Sequence, residues 1–227
     1  MYPGVRCRLY VDSPPATRHL TSNCPNCGAE ITFRWSSAVQ TTCPFCRSIL
    51  VRHDVDLTRV GVVSDIPPST SAIQLGTEGR YGRTRFTVVG RIIYDYERGH
   101  WNEWHLRLDD DSSAWLSDAL AEYAISRQLE STPSLPAADA LRVGQSFRFD
   151  GTAFTVATLT RARYGGVEGE LPFEYWDKSE VLFADLESQS ERFATIDYSE
   201  SQPLVFVGEY QEFEQLQLTN LREIAGW

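Results

Sequence analysis

"LGTEGRYGRTRFTVVGRI", residues 75–92, recurs in altered form as "VGQSFRFDGTAFTVATLT", residues 143–160. The offset is 68 residues throughout: Gly76 aligns with Gly144, and the "RFTVV" that begins at Arg85 aligns with the "AFTVA" that begins at Ala153. Each copy reads as a glycine-centred turn followed by an apolar strand, with period-two alternation around Phe86–Val88 and Phe154–Val156. The chain is therefore expected to contain two similar small antiparallel β units, SH3-like or barrel-like. Neither is long enough to bury a full core alone, so the two should pack against each other.

Downstream of each opening strand the pattern stays β. "RIIYDY" (91–96) and "WNEWHLRLD" (101–109) supply aromatic and β-branched strand residues, broken by a turn at "YERGH" and a second turn at "LDDDSSAWL". The second unit continues through "YGGVEGEL", "EVLFADLE", "RFATIDYS" and "PLVFVGEYQEF". No βαβ repetition is present, so the fold class is mainly β. One stretch, residues 112–130, supports two readings. Leu116, Ala119, Leu120, Tyr123 and Ala124 fit one short helix capped by Ser112 or Ser113, whereas "AWL" and "EYAI" fit strands of a meander.

Ahead of the repeats lie two matched cysteine pairs, Cys24 and Cys27, then Cys43 and Cys46, separated by 15 residues. Thiolates are soft ligands, and four of them complete a tetrahedral zinc shell without leaving a position for water or substrate. The spacing predicts a structural zinc ribbon, with Gly28 relaxing the first turn and "AEITFRWSS" and "SILVR" as its short strands. The domain plan is an N-terminal arm (1–20), the zinc ribbon (21–55), a linker (56–72), a first β unit (73–130), a Pro- and Ala-rich linker (131–140) and a second β unit (141–227). Cys7, the cysteine left over, reads as a partly buried small hydrophobe.

Charge narrows the choice of partners. Residues 1–60 carry seven arginines against four acids, while residues 61–227 carry 14 basic and 27 acidic groups, within a chain of net charge -10. A body this acidic repels phosphate backbones and anionic lipid faces. Only the front could attract them, through Arg34, Trp35, Arg47 and Arg52. No run approaches a membrane span. The N-terminus lacks an apolar signal core and the cysteines are paired at metal spacing, so a cytoplasmic location is expected.

No catalytic constellation is evident, and no residue is assigned to catalysis or to binding an organic cofactor. Asp109, Asp110 and Asp111 lack the alternating pattern of a calcium loop and fall at a turn. If "WHLRL" is a strand, Trp104 and Leu106 share one face and His105 and Arg107 the other, but no local pattern supplies His105 with a nucleophile. "RYGR" and "RYGG" do not match a nucleotide-binding loop. Tyr175 and Trp176, beside Glu170 and Glu174, are aromatics of the kind that meet a peptide or a polyamine, or that pack in a core.

Taken in order, "LGTEGRYGRTRFTVVGRI", "WNEWHLRL", "AWLSD", "GGVEGELPFEYW", "RFATIDYS" and "PLVFVGEYQEF" resemble the bacterial domain-of-unknown-function 4178 family, over about residues 73–220. The matching positions are Gly76, Trp104, Trp115 and Leu116 in the first unit, and Gly169, Glu170, Tyr198, Gly208 and Glu209 in the second. The resemblance implies no catalytic residues. It implies an accessory or adaptor role in an envelope-stress or membrane-remodelling system, with a protein partner, membrane-associated in some settings. It also implies a polyamine-related accessory or enzymatic domain as an alternative. Nucleic-acid binding through the ribbon is the other alternative, resting on charge alone.

Overall fold

The turn that opens each repeat is built the same way. Gly76 and Gly144 have φ of 85° and 87°, a left-handed conformation that favours glycine. Gly76 N donates to Val88 O at 2.8 Å and Val88 N to Thr77 O at 2.8 Å; Gly144 N donates to Val156 O at 2.9 Å and Val156 N to Gln145 O at 2.8 Å. Each bond maps onto its counterpart at the 68-residue offset. This computed structural model describes residues 20–53, 56–63, 71–131, 133–174, 179–190 and 192–223. Cys7, the arm up to residue 19, residues 64–70 of the expected linker and the Tyr175–Trp176 pair lie outside the described residues.

The front segment forms β1 (Leu20–Asn23), β2 (Glu30–Phe33), β3 (Gln40–Thr42), β4 (Ser48–His53) and β5 (Asp56–Val62). β1 and β2 make a hairpin; β3, β4 and β5 make a three-stranded antiparallel sheet. β5 thus occupies chain that the sequence suggested was linker.

The first repeat follows as β6 (Glu78–Tyr81), β7 (Thr84–Tyr96), β8 (Gly99–Leu108), β9 (Ser113–Ala119) and β10 (Glu122–Gln128). The second is β11 (Ser146–Phe149), β12 (Thr152–Gly169), β13 (Glu180–Glu187), β14 (Arg192–Asp197) and β15 (Leu204–Gln211), ending in a single 3-10 turn at Phe213–Leu216. The possible helix over 112–130 is instead the β9–β10 hairpin. Its turn residues Leu120 and Ala121 both have positive φ, 52° and 66°, as a two-residue hairpin turn demands. The turn carries neither Asn nor Gly, so its usual sequence signal is missing.

The expectation of two small separate units is corrected by the strand pairing. The strands run β11-β12-β13-β14-β15-β10-β9-β8-β7-β6, and β12 also pairs with β7. Eight strands therefore close into one ring, with β6 and β11 as extra hairpin arms. A repeat standing alone would leave β10 and the second half of β7 as open edges with unpaired backbone groups. Pairing β10 with β15 and β7 with β12 removes both edges. At the second seam Asp95 lies opposite Arg163, and these are equivalent positions of the two repeats. The same β-bulge interrupts β7 between Val88 and Gly90 and β12 between Val156 and Thr158.

Each repeat retains a private core: Phe86, Val88, Trp104, Leu106 and Leu116 in the first, Phe154, Val156, Leu186, Ile196 and Val205 in the second. A third cluster joins them. It draws Ile92, Tyr94 and Trp115 from one repeat, Val167, Val181 and Phe183 from the other, and Ile49 and Val63 from the front segment.

Candidate metal centre and its junction with the ring

The two cysteine turns are near copies. Gly28 N donates to Cys24 O at 2.8 Å, and Arg47 N donates to Cys43 O at 2.9 Å. Gly28 and Arg47 hold the matching left-handed positions, with φ of 75° and 60°. These turns, one on the β1–β2 hairpin and one on β3–β4, bring the four Sγ atoms to within 4.8 Å of one another. Cys24 Sγ lies 3.7 Å from Cys46 Sγ, and Cys27 Sγ lies 3.7 Å from Cys43 Sγ. A tetrahedron with metal–sulfur bonds of about 2.3 Å has edges of about 3.8 Å, so the donor set fits a four-coordinate metal ion. Hydrogen bonding with Ser48 and Asn26 pulls the Cys46 thiol down, while burial and the three neighbouring thiols push Cys27 up, the split of four thiols sharing protons in one cluster. The apolar support is small: Ile31, Phe33, Trp35, Ala38 and Leu50 around Cys24 and Cys43.

The stretch between the cysteine pairs faces the ring. Arg34 N and Trp35 N donate to the two oxygens of Glu170, at 2.7 and 2.8 Å. Burial pushes the Glu170 carboxyl upward, while these two backbone donors favour its charged form. Val39 N and Leu171 N complete a backbone bridge, Val39 N donating to Leu171 O and Leu171 N to Gln40 O, each at 2.9 Å. Trp35 Nε1 donates to Asp111 O at 2.9 Å, and Ser36 Oγ donates to an Asp111 carboxylate oxygen at 2.7 Å. Arg107 closes the patch, reaching Asp111 at 2.8 Å and Arg34 O at 3.0 Å. Asp111 is therefore a docking residue, a role the sequence did not suggest because the Asp109–Asp111 run resembles ordinary turn chemistry.

His105 sits beneath this junction, fully buried between Trp35 and Trp115, with ring centroids 4.8 and 5.1 Å away. Its Nδ1 lies 2.9 Å from Glu170 O and must donate to that carbonyl. Nε2 then accepts from Ser113 Oγ at 2.8 Å. Ser113 is the hydroxyl partner that no local motif could reveal. Burial pushes the imidazole down to about 4, which makes it a weak base, and the two indoles cover it. The pair locks the junction. Of the residues His105, Glu170 and Glu209, the fold brings the first two together and leaves the third elsewhere, where Glu209 accepts from Tyr81 OH at 3.4 Å. Gly208 is a packing residue: a Cβ there would meet Ile125 O at 2.1 Å across the β10–β15 seam.

Ring and centre together define a class: a duplicated, closed antiparallel β ring with a four-thiol ribbon clamped to it. The chain belongs to the family described as Domain of unknown function (DUF4178), whose model matches residues 74–213. That match spans the ring strands and leaves the ribbon outside. Comparison with curated proteins and with solved structures found no match. No helix among the described residues is long and apolar enough to cross a membrane.

Proposed function

We propose that this protein is a zinc-stapled adaptor that presents a rigid binding surface to a protein partner. Cys24, Cys27, Cys43 and Cys46 hold the zinc, and the metal supplies folding free energy to a ribbon with a small core. Four thiolates close the shell, so the ion has no position for a reacting water.

The observation that carries this reading is Phe45. It is the central apolar residue of the second cysteine turn and is 72% exposed, although the turn that bears it is tied to the centre on both sides. A large aromatic on a fixed turn is a preorganised anchor for a partner pocket. Its setting in an envelope-stress or membrane-remodelling system is part of this proposal and rests on the resemblance to domain of unknown function 4178 alone. The nucleic-acid alternative is weakened because Trp35, its central aromatic, is buried against the ring.

Elemental analysis of the purified chain should return one zinc per chain, reduced to background by Cys43→Ser. Iron would occupy the same tetrahedral sulfur set, and finding it would replace zinc in this proposal. A photo-crosslinking residue at position 45 should capture one reproducible protein partner in cells, and Phe45→Ser should release that partner. Retention of the partner by Phe45→Ser would refute the anchor.

A further inference from the structure

A cavity of about 340 Å³ lies inside the ring, bordered by side chains from β7, β8, β9, β10, β13, β14 and β15. Along each strand the lining residues alternate, as in Trp115 and Ser117 or Thr195 and Asp197, so one face of the closed sheet looks into it. Its walls are largely aromatic, with Tyr94, Trp115, Phe173, Phe183 and Phe206.

Set into these walls are carboxyl groups and no base. Glu103, Asp197 and Glu200 line the cavity, Asp197 buried, Glu103 partly exposed and Glu200 exposed; no Arg, Lys or His is among the described lining residues. Asp197 is 7% exposed, and its Oδ1 accepts from Ser199 N at 2.7 Å. Glu103 accepts from Ser117 Oγ at 2.9 and 3.0 Å and from Trp101 Nε1 at 3.1 Å. These donors orient the carboxyl without supplying a positive charge. Buried carboxylates are almost always paired, because desolvating an uncompensated charge is costly. Among the described residues lining this space no compensating cation is present, and an apolar space of ligand size lies beside the acids.

We propose that this cavity is a binding site for a small organic ammonium ion, a protonated primary or secondary amine on a short apolar body. The ammonium group meets Glu103 and Asp197, and the body lies against Trp115, Phe173 and Phe183. Aromatic faces favour a cation over a neutral group of the same shape. The charge states agree with this geometry: burial first, then the neighbouring Asp185 and Asp197, pushes Glu103 up to about 7, and burial pushes Asp197 up to about 6. A bound cation reverses both shifts.

The proposal is independent of the adaptor reading, since failure of amine binding leaves partner capture at Phe45 untouched. The test is titration calorimetry on the metal-loaded full chain with hexylamine, and with hexan-1-ol as its uncharged counterpart. Hexylamine should bind at least tenfold more tightly than the alcohol. Its affinity should rise at least fivefold from pH 6 to pH 8, where Glu103 ionises and the amine stays charged. Glu103→Gln should weaken hexylamine at least tenfold while leaving hexan-1-ol within twofold, and Asp197→Asn should act in the same direction. Equal affinity for amine and alcohol, an unchanged Glu103→Gln, or no hexylamine binding at millimolar concentration would each overturn the assignment.

Discussion

The ribbon and the ring reach order by different means. In the ribbon, a handful of apolar residues surrounds two cysteine turns, and the four converging thiols are the strongest constraint. In the ring, duplication does the equivalent work: each repeat covers the open edges of the other, and the cores merge across the seams. On the proposed reading one region depends on an ion, and the other on its own second copy. Their junction at Glu170, His105, Trp35 and Asp111 should therefore be separable from both.

Removing the metal is the strongest test of this contrast. Structural zinc in short peptides contributes on the order of 10 kcal/mol or more. Cys43→Ser should abolish amide protection over residues 20–53 in hydrogen exchange, with protection of β7–β10 and β12–β15 retained. Simultaneous loss of the ring would show that the two regions fold as one unit.

The ring is attacked most directly at its seam. Gly208→Ala forces a Cβ into Ile125 O, and the ring should lose about 4 kcal/mol in denaturant unfolding, as severe steric changes at buried backbone do. The metal content should be unchanged, which reverses the pattern of the cysteine variant.

Glu103 tests the ring from within. Its folded pKa of about 7 is raised above the ordinary value of 4.5, so the folded state holds a proton that the unfolded chain has released. This group lowers stability progressively as pH rises from about 4.5 to about 7. In the absence of ligand, Glu103→Gln should be more stable than the parent at pH 8, by on the order of 3 kcal/mol, and the two should converge near pH 4. Thermal unfolding across that range reads the difference.

The smallest effect belongs to the junction. Glu170→Ala removes the acceptor of two backbone N–H groups, and should cost about 2 kcal/mol. Faster exchange at Arg34 and Trp35, with the metal still bound, would show an undocked ribbon. An unchanged pattern would assign the docking to the Val39–Leu171 bridge and the Asp111 contacts.

Local features of this molecule could be read from its sequence, and distant pairings could not. The cysteine spacing marked the four thiols that converge, and the 68-residue offset marked the duplication, because both are written in residue order. Ring closure depends on β7 meeting β12, and alternation reveals a strand's faces without naming its neighbour. For the same reason Glu103 looked like any polar residue of an alternating strand, and only closure turned its face inward. The β9–β10 hairpin stayed one of two readings of residues 112–130, because Leu120 and Ala121 stand at a turn that usually takes Asn or Gly.

The pairing of Asp95 with Arg163 has an evolutionary reading. These residues occupy the same place in the two repeats, so a protein made of one repeat that dimerised in this manner would set residue 95 against its own copy. A charge there would repel itself, and neutrality would be enforced at that position. Once both copies lie on one chain, each can mutate alone, and acid can face base. The seam thus records the freedom gained by fusion: unlike residues paired at equivalent positions of the strands, which no symmetric pair of identical subunits could set opposite one another.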